Sequence, residues 1–130
     1  AIGENFILLV HVGDKVFSHS RPHKLAKVIK AFPRMKVVAA HLGGWSCWDE
    51  AKEFLLKKDI YIDTSSTFWC LSKEERVALM RYHGTDRVLF GTDYPIRSHK
   101  LELEDFLTLP LRDEEKENIL YFNAKQLLGL

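Results

Sequence analysis

Arg87-Val88-Leu89-Phe90-Gly91-Thr92-Asp93-Tyr94-Pro95 is the stretch on which the fold of this 130-residue chain turns. From Arg87 to Gly91 it is a compact apolar run with no turn residue before the glycine. Such a run reads as a strand buried on both faces, as in a parallel sheet covered by helices. It ends in Gly-Thr-Asp, so a carboxylate emerges where the strand gives out. Pro95 then halts the extension, because it cannot donate to the ladder and it restricts Tyr94 before it. An acid delivered in this way either caps the next turn or belongs to a site, and the stretch by itself leaves both open.

Three further runs resemble it. Phe6-Ile7-Leu8-Leu9-Val10 ends in His11-Val12-Gly13-Asp14, and Met35-Lys36-Val37-Val38-Ala39-Ala40 ends in His41-Leu42-Gly43-Gly44. Asp59-Ile60-Tyr61-Ile62-Asp63 ends in Thr64-Ser65-Ser66-Thr67. Helical patterns lie between the runs. Pro22 suits a first turn, and Leu25, Val28, Ile29 and Phe32 then keep helical spacing as far as Pro33. Trp48 to Lys58 places Ala51, Phe54 and Leu55 on one side. Ser72-Lys73-Glu74-Glu75 has the spacing of a capping box, and opens a helix with Val77, Leu79 and Met80 inward and Gly84 at its end. After the fourth strand, Leu101 to Leu109 reads as a short helix halted by Pro110. A last helical region starts at Asp113 and runs through Ile119 and Leu120, with a final turn from Asn123 to about Gly129. Strand and helix thus alternate four times at the spacing of βαβ crossovers, which predicts an α/β fold with a parallel sheet.

Composition narrows the function. Lys plus Arg is 19 against Asp plus Glu 18, so no basic excess points to nucleic acid or to an anionic membrane surface. The absence of any long apolar run predicts no membrane span. Cys47 and Cys70 form no CxxC pattern, and reduced thiols in a cytoplasmic protein are the expectation. No Gly-rich phosphate loop follows a strand, which weighs against a nucleotide-binding domain.

Chemistry gathers at the strand ends. In parallel α/β folds the loops after the strands share one face, where sites are built. His11, His41 and Asp93 are therefore expected to converge, and two imidazoles with a carboxylate suit a divalent transition metal such as zinc. Each has a plainer reading: His11 as a loop cap, His41 as a hydrogen-bonded residue in a glycine turn, Asp93 as a cap. Asp63 alternates within its strand and reads as structural, as does Arg87 at a strand start. His19, His23, His83 and His99 read as surface or loop residues. Trp45, Trp48, Phe68 and Trp69 follow two of the strand ends, where they either wall a pocket or pack in the core.

The run Val37 to Gly44, with Phe32-Pro33 before it, and the run Asp86 to Pro95 resemble the amidohydrolase-related metal-dependent hydrolases, in the branch that contains aminocarboxymuconate-semialdehyde decarboxylase. Asn123-Ala124-Lys125-Gln126-Leu127-Leu128 is similar to that family's closing helix. The resemblance implies a (β/α)8 TIM barrel with a divalent metal, zinc by expectation, at the carboxyl face. It implies that His11 and Asp93 bind the metal, and that His41 and Asp93 are catalytic, His41 handling the proton or water. The family's His-x-His pair is missing, and a whole barrel needs about 250 residues. The chain is therefore expected to be the C-terminal half of such a barrel, a single domain over residues 1–130. Its implied function is hydrolysis of a C–N or C–O bond, or non-oxidative decarboxylation, of a small-molecule substrate. Half a barrel exposes sheet edges that closure would remove, so a homo-oligomer or association with the missing N-terminal half is expected. The rival reading is a non-catalytic α/β module that binds a ligand or partner.

Overall fold

A computed structural model describes residues 6–130. Four strands, β1 (Ile7–Val10), β2 (Lys36–Ala39), β3 (Tyr61–Asp63) and β4 (Val88–Leu89), form one sheet in the order β1-β2-β3-β4. Every neighbouring pair is parallel, with Leu8 opposite Val37, Val38 opposite Tyr61 and Ile62 opposite Val88. A doubly wound sheet reverses its strand order at a switch point. This one never does; each strand lies beside its predecessor, as the staves of a barrel do.

Helices α1 (Pro22–Ala31), α2 (Trp48–Phe54) and α3 (Lys73–His83) make the crossovers, and α4 (His99–Leu107), α5 (Asp113–Glu117) and α6 (Asn123–Leu128) follow β4. A π-helical turn, Asn118–Phe122, joins α5 to α6. The capping box at α3 is present in both directions: Glu75 N–H donates to Ser72 Oγ (3.1 Å), and Ser72 N–H to Glu75 Oε2 (2.7 Å). Between sheet and helices lies one apolar core that includes Val37, Ala39, Leu55, Ile62, Met80, Val88, Phe106 and Ile119.

Three expectations are corrected. The first strand is not buried on both faces: Leu9 is 66% exposed and Leu8 and Phe6 are exposed with it, because β1 is an edge strand. Val28 and Phe32 keep helical spacing yet face solvent, leaving Leu25 and Ala26 to anchor α1. His83 is a core residue, not a surface one; Lys57 N–H donates to its Nδ1 and its Nε2 faces the Ile60 carbonyl. The outer edge of β4, by contrast, is covered. Its Phe90 N–H donates to the Ile119 carbonyl (3.1 Å) and its Val88 carbonyl accepts from Asn123 Nδ2 (2.8 Å).

Candidate active site

The parallel sheet brings the carboxyl ends of all four strands to one end of the molecule, and two of the ionisable residues after them, His11 and His41, meet there. His11 leaves β1 and His41 leaves β2; His11 Nδ1 lies 2.9 Å from His41 Nε2, the rings edge to face with centroids 4.9 Å apart. The outer nitrogens face oxygen acceptors: His11 Nε2 the Gly13 carbonyl at 2.7 Å, and His41 Nδ1 the Ser65 carbonyl at 2.9 Å. A carbonyl oxygen can only accept, so each outer nitrogen carries its proton. That leaves the facing pair, His11 Nδ1 and His41 Nε2, as the nitrogens free for exchange.

Asp93, after β4, does not contact either histidine among the described residues. Ser66, after β3, donates its hydroxyl to Asp93 Oδ2 at 2.6 Å. His41 is buried, whereas His11 and Asp93 are exposed. Among the described residues, no group of three or more His, Cys, Asp or Glu side chains is placed to hold a metal ion. The two histidines are in contact; among the described residues the Asp93 carboxylate hydrogen-bonds Ser66 and neither histidine.

Strain marks the same places. His41 (φ 60°), Ser66 (φ 55°) and Asp93 (φ 56°), which follow β2, β3 and β4, all lie in the left-handed region. Side chains there cost about 1–2 kcal/mol each, and such residues persist only where their surroundings hold them. For His41 the holder is Asp63. Its Oδ1 accepts from His41 N–H (3.1 Å), Ser65 N–H (3.0 Å) and Ser65 Oγ (2.6 Å), and Ser65 Oγ also lies 3.1 Å from His41 Nδ1. Sequence alternation marks Asp63 as structural, and Ser65 and Ser66 stand out only as hydroxyls delivered with Thr64 at the third strand end, with no role assigned. Their part is set by neighbours more than twenty residues away, which no local pattern carries.

The aromatic residues divide. Trp48 is half-buried against the core and donates its indole N–H to the His41 carbonyl at 3.0 Å, while Trp69 is exposed. A cavity of about 400 Å³ opens beside Trp48, lined also by Arg21, Cys47 and Glu50, and does not include His11, His41 or Asp93. Arg87 is structural as read, donating to the Lys58 and His83 carbonyls at the opposite end of β4. No helix among the described residues is long and apolar enough to cross a membrane.

Known proteins give this arrangement a context. The chain is 27% identical over 125 residues to the decarboxylase orsB of Emericella nidulans, an alignment that covers 79% of this chain and 37% of that protein. An uncharacterised TIM-barrel protein from Bordetella bronchiseptica superposes with a TM-score of 0.75 at 25% identity, over 97% of this chain and 46% of the other. A dihydroxybenzoic acid decarboxylase from Polaromonas sp. JS666, solved with manganese and the inhibitor 2-nitroresorcinol, gives a TM-score of 0.67 at 19% identity, over 84% and 39% of the two chains. The chain thus spans well under two thirds of each of these relatives. The amidohydrolase family model matches residues 4–130, almost the whole length, and the chain belongs to the amidohydrolase family.

Proposed function

We propose that the chain is the C-terminal half of a metal-dependent amidohydrolase-family barrel that decarboxylates, or hydrolyses, a small carboxylic acid. The observation that carries this reading is the contact between His11 and His41 at neighbouring strand ends; Asp93 follows β4 and bonds Ser66, which follows β3. The decarboxylase names of its relatives favour decarboxylation over hydrolysis.

The donor types fit a divalent cation in part. His11 donates Nε2–H to Gly13, which orients the ring as carbonyl partners orient metal-binding histidines and leaves Nδ1 with a lone pair. Asp93 has one oxygen held by Ser66 and the other uncommitted. His41 Nε2 is a poor co-ligand: two nitrogens on one zinc sit about 3.3 Å apart, wider than the 2.9 Å between it and His11 Nδ1. His11 and Asp93 would therefore hold the metal together with donors from the other barrel half. Zinc and manganese both accept such donors. When bound, the cation acidifies water to a pKa of about 7 and polarises a carboxyl or carbonyl oxygen.

The chain's own residues supply the rest. Decarboxylation breaks a carbon–carbon bond, releases carbon dioxide and leaves a carbanion-like centre that must take up a proton; His41, after taking a proton from water onto Nε2, would deliver it. In hydrolysis the same nitrogen would take a proton from water and pass it to the leaving group. The glycines after His41 serve packing, not ligand approach: a Cβ at Gly43 would meet Leu56, and one at Gly44 would meet Pro22.

Co-expressing the chain with a complementary N-terminal barrel half, followed by metal analysis, tests the reading. Expected is about one divalent ion per barrel, lost in His11→Ala and in Asp93→Ala. In His41→Ala the ion should stay, while turnover of hydroxybenzoic acids falls by about 100-fold or more. Equal metal content in all three variants and the parent would refute the ligand assignment. A metal-free, inactive barrel would favour the binding-module alternative.

A further inference from the structure

We infer that Asp63 is a positioning residue for His41: its carboxylate fixes the His41 ring through Ser65, in a space kept open by Gly91. This rests on the reading of His41 as the proton-handling group, but its structural basis stands apart from that reading.

A single oxygen, Asp63 Oδ1, receives three donors, and all three belong to His41 or to the residue that faces the His41 ring. The His41 N–H contact braces the left-handed backbone from which the imidazole projects. The two Ser65 contacts hold that residue so that its carbonyl meets His41 Nδ1 at 2.9 Å. Because the Ser65 hydroxyl proton is committed to Asp63 at 2.6 Å, its oxygen can only accept from His41. Both oxygens near Nδ1 are thus acceptors, which keeps the proton on Nδ1 and turns Nε2 toward the open end. A carboxylate that takes two bonds would explain a stable loop. The third, to the backbone of a residue on another strand end, is what ties the loop to the ring.

Gly91 completes the device from β4. A Cβ there would lie 3.2 Å from Asp63 Cγ, so the carboxylate would have to give by a few tenths of an ångström, and it would touch Oδ2 and Ser65 Cβ at 3.4 Å. Three strand ends therefore cooperate to set one imidazole: β2 carries it, β3 orients it and β4 leaves the room.

The test is proton–nitrogen correlation NMR of the His41 ring, on the chain labelled with ¹⁵N-histidine, at mildly alkaline pH. In the parent, Nδ1 should resonate as a proton-bearing nitrogen. Asp63→Ala should move it to an averaged position as the ring samples both tautomers. Gly91→Ala, which removes no polar group, should shift the same resonance with the fold intact by circular dichroism. Ser65→Ala should give a smaller shift, since the backbone carbonyl remains, and Ser65→Thr should restore the parent position. A purely structural role would lower stability and leave Nδ1 protonated in folded variants; that result in both Asp63→Ala and Gly91→Ala overturns the inference. Should Asp63→Ala not fold, Gly91→Ala decides alone. In the active barrel, Gly91→Ala should lower kcat by about tenfold with KM little changed, and NMR shifts without that loss would count against the proton role of His41 while leaving the positioning intact.

Discussion

His83 shows at the scale of one residue how far burial redirects a titratable side chain. Lys57 N–H donates to its Nδ1 (3.1 Å) and its Nε2–H donates to the Ile60 carbonyl (2.7 Å), so only the neutral ring satisfies both contacts. Burial pushes the imidazole below its usual value, the Ile60 contact draws it partly back, and Arg87 nearby lowers it again. The folded chain therefore binds this proton less readily than the unfolded one. Stability from His83 is complete above a pH of about 6.5 and is lost as the pH falls from there through the folded value. Urea unfolding should show a midpoint that drops across this window, and His83→Gln should flatten the slope while costing about 1–2 kcal/mol at neutral pH. An unchanged slope would exclude His83 as its source. Legibility at this scale was uneven. His11, His41 and Asp93 stood out because each follows an apolar run, and position after a strand is written in the chain. Asp63 and His83 did not, because their partners come from other strands and helices.

At the scale of elements, polar contacts between helices supplement the apolar core. Arg76 of α3 and Asp105 of α4 are paired in a nearly dry interior, with Nη1–Oδ2 at 2.5 Å and side chains 5% and 6% exposed. Desolvation offsets most of what such a pair contributes, but a lone buried charge is costly. Asp105→Asn should accordingly destabilise the chain by about 3–5 kcal/mol, read by thermal or urea unfolding; a loss under 1 kcal/mol would mean water reaches Arg76. Nearer the surface, Glu115 of α5 faces Arg81 of α3 through two hydrogen bonds and also accepts from Arg112 N–H. The Arg81 guanidinium is the main cause holding its carboxyl down at about 2. The sign here is opposite to that of His83. The contribution is present above a pH of about 4.5 and is lost as the pH falls toward about 2. Arg81 is half exposed, so solvent screening keeps the pair's contribution small. Glu115→Gln should lose that contribution at neutral pH and almost nothing in strong acid. Element order was readable from the alternation of apolar runs and helical spacing. Strand lengths were not, because only two or three residues of each later run pair before the chain turns into the site.

Taken whole, the molecule is a curved run of staves whose two margins differ. Four parallel strands were legible from the repeat of strand and helix and their barrel order from the family resemblance, and the match to barrel relatives bears both out. The apolar surface along β1 was not, because a run of Phe6, Leu8 and Leu9 looks the same in sequence whether a neighbour covers it or not. We expect that surface to drive association with the complementary barrel half or with another copy. Leu9→Lys should move the chain toward monomer in light scattering at high concentration. A sharp monomer peak for the parent would exclude self-association.

The seal that Ile119 and Asn123 place on β4 bears on how any such assembly grows. Endless stacking by strand addition needs a sticky rim on each side, so that every newcomer offers a fresh one to the next. Here one rim is held by the chain's own tail, which closing a barrel with the complementary half would have to displace. Copies that meet through β1 consume the remaining rim on both, and the process stops at two instead of running on to fibres.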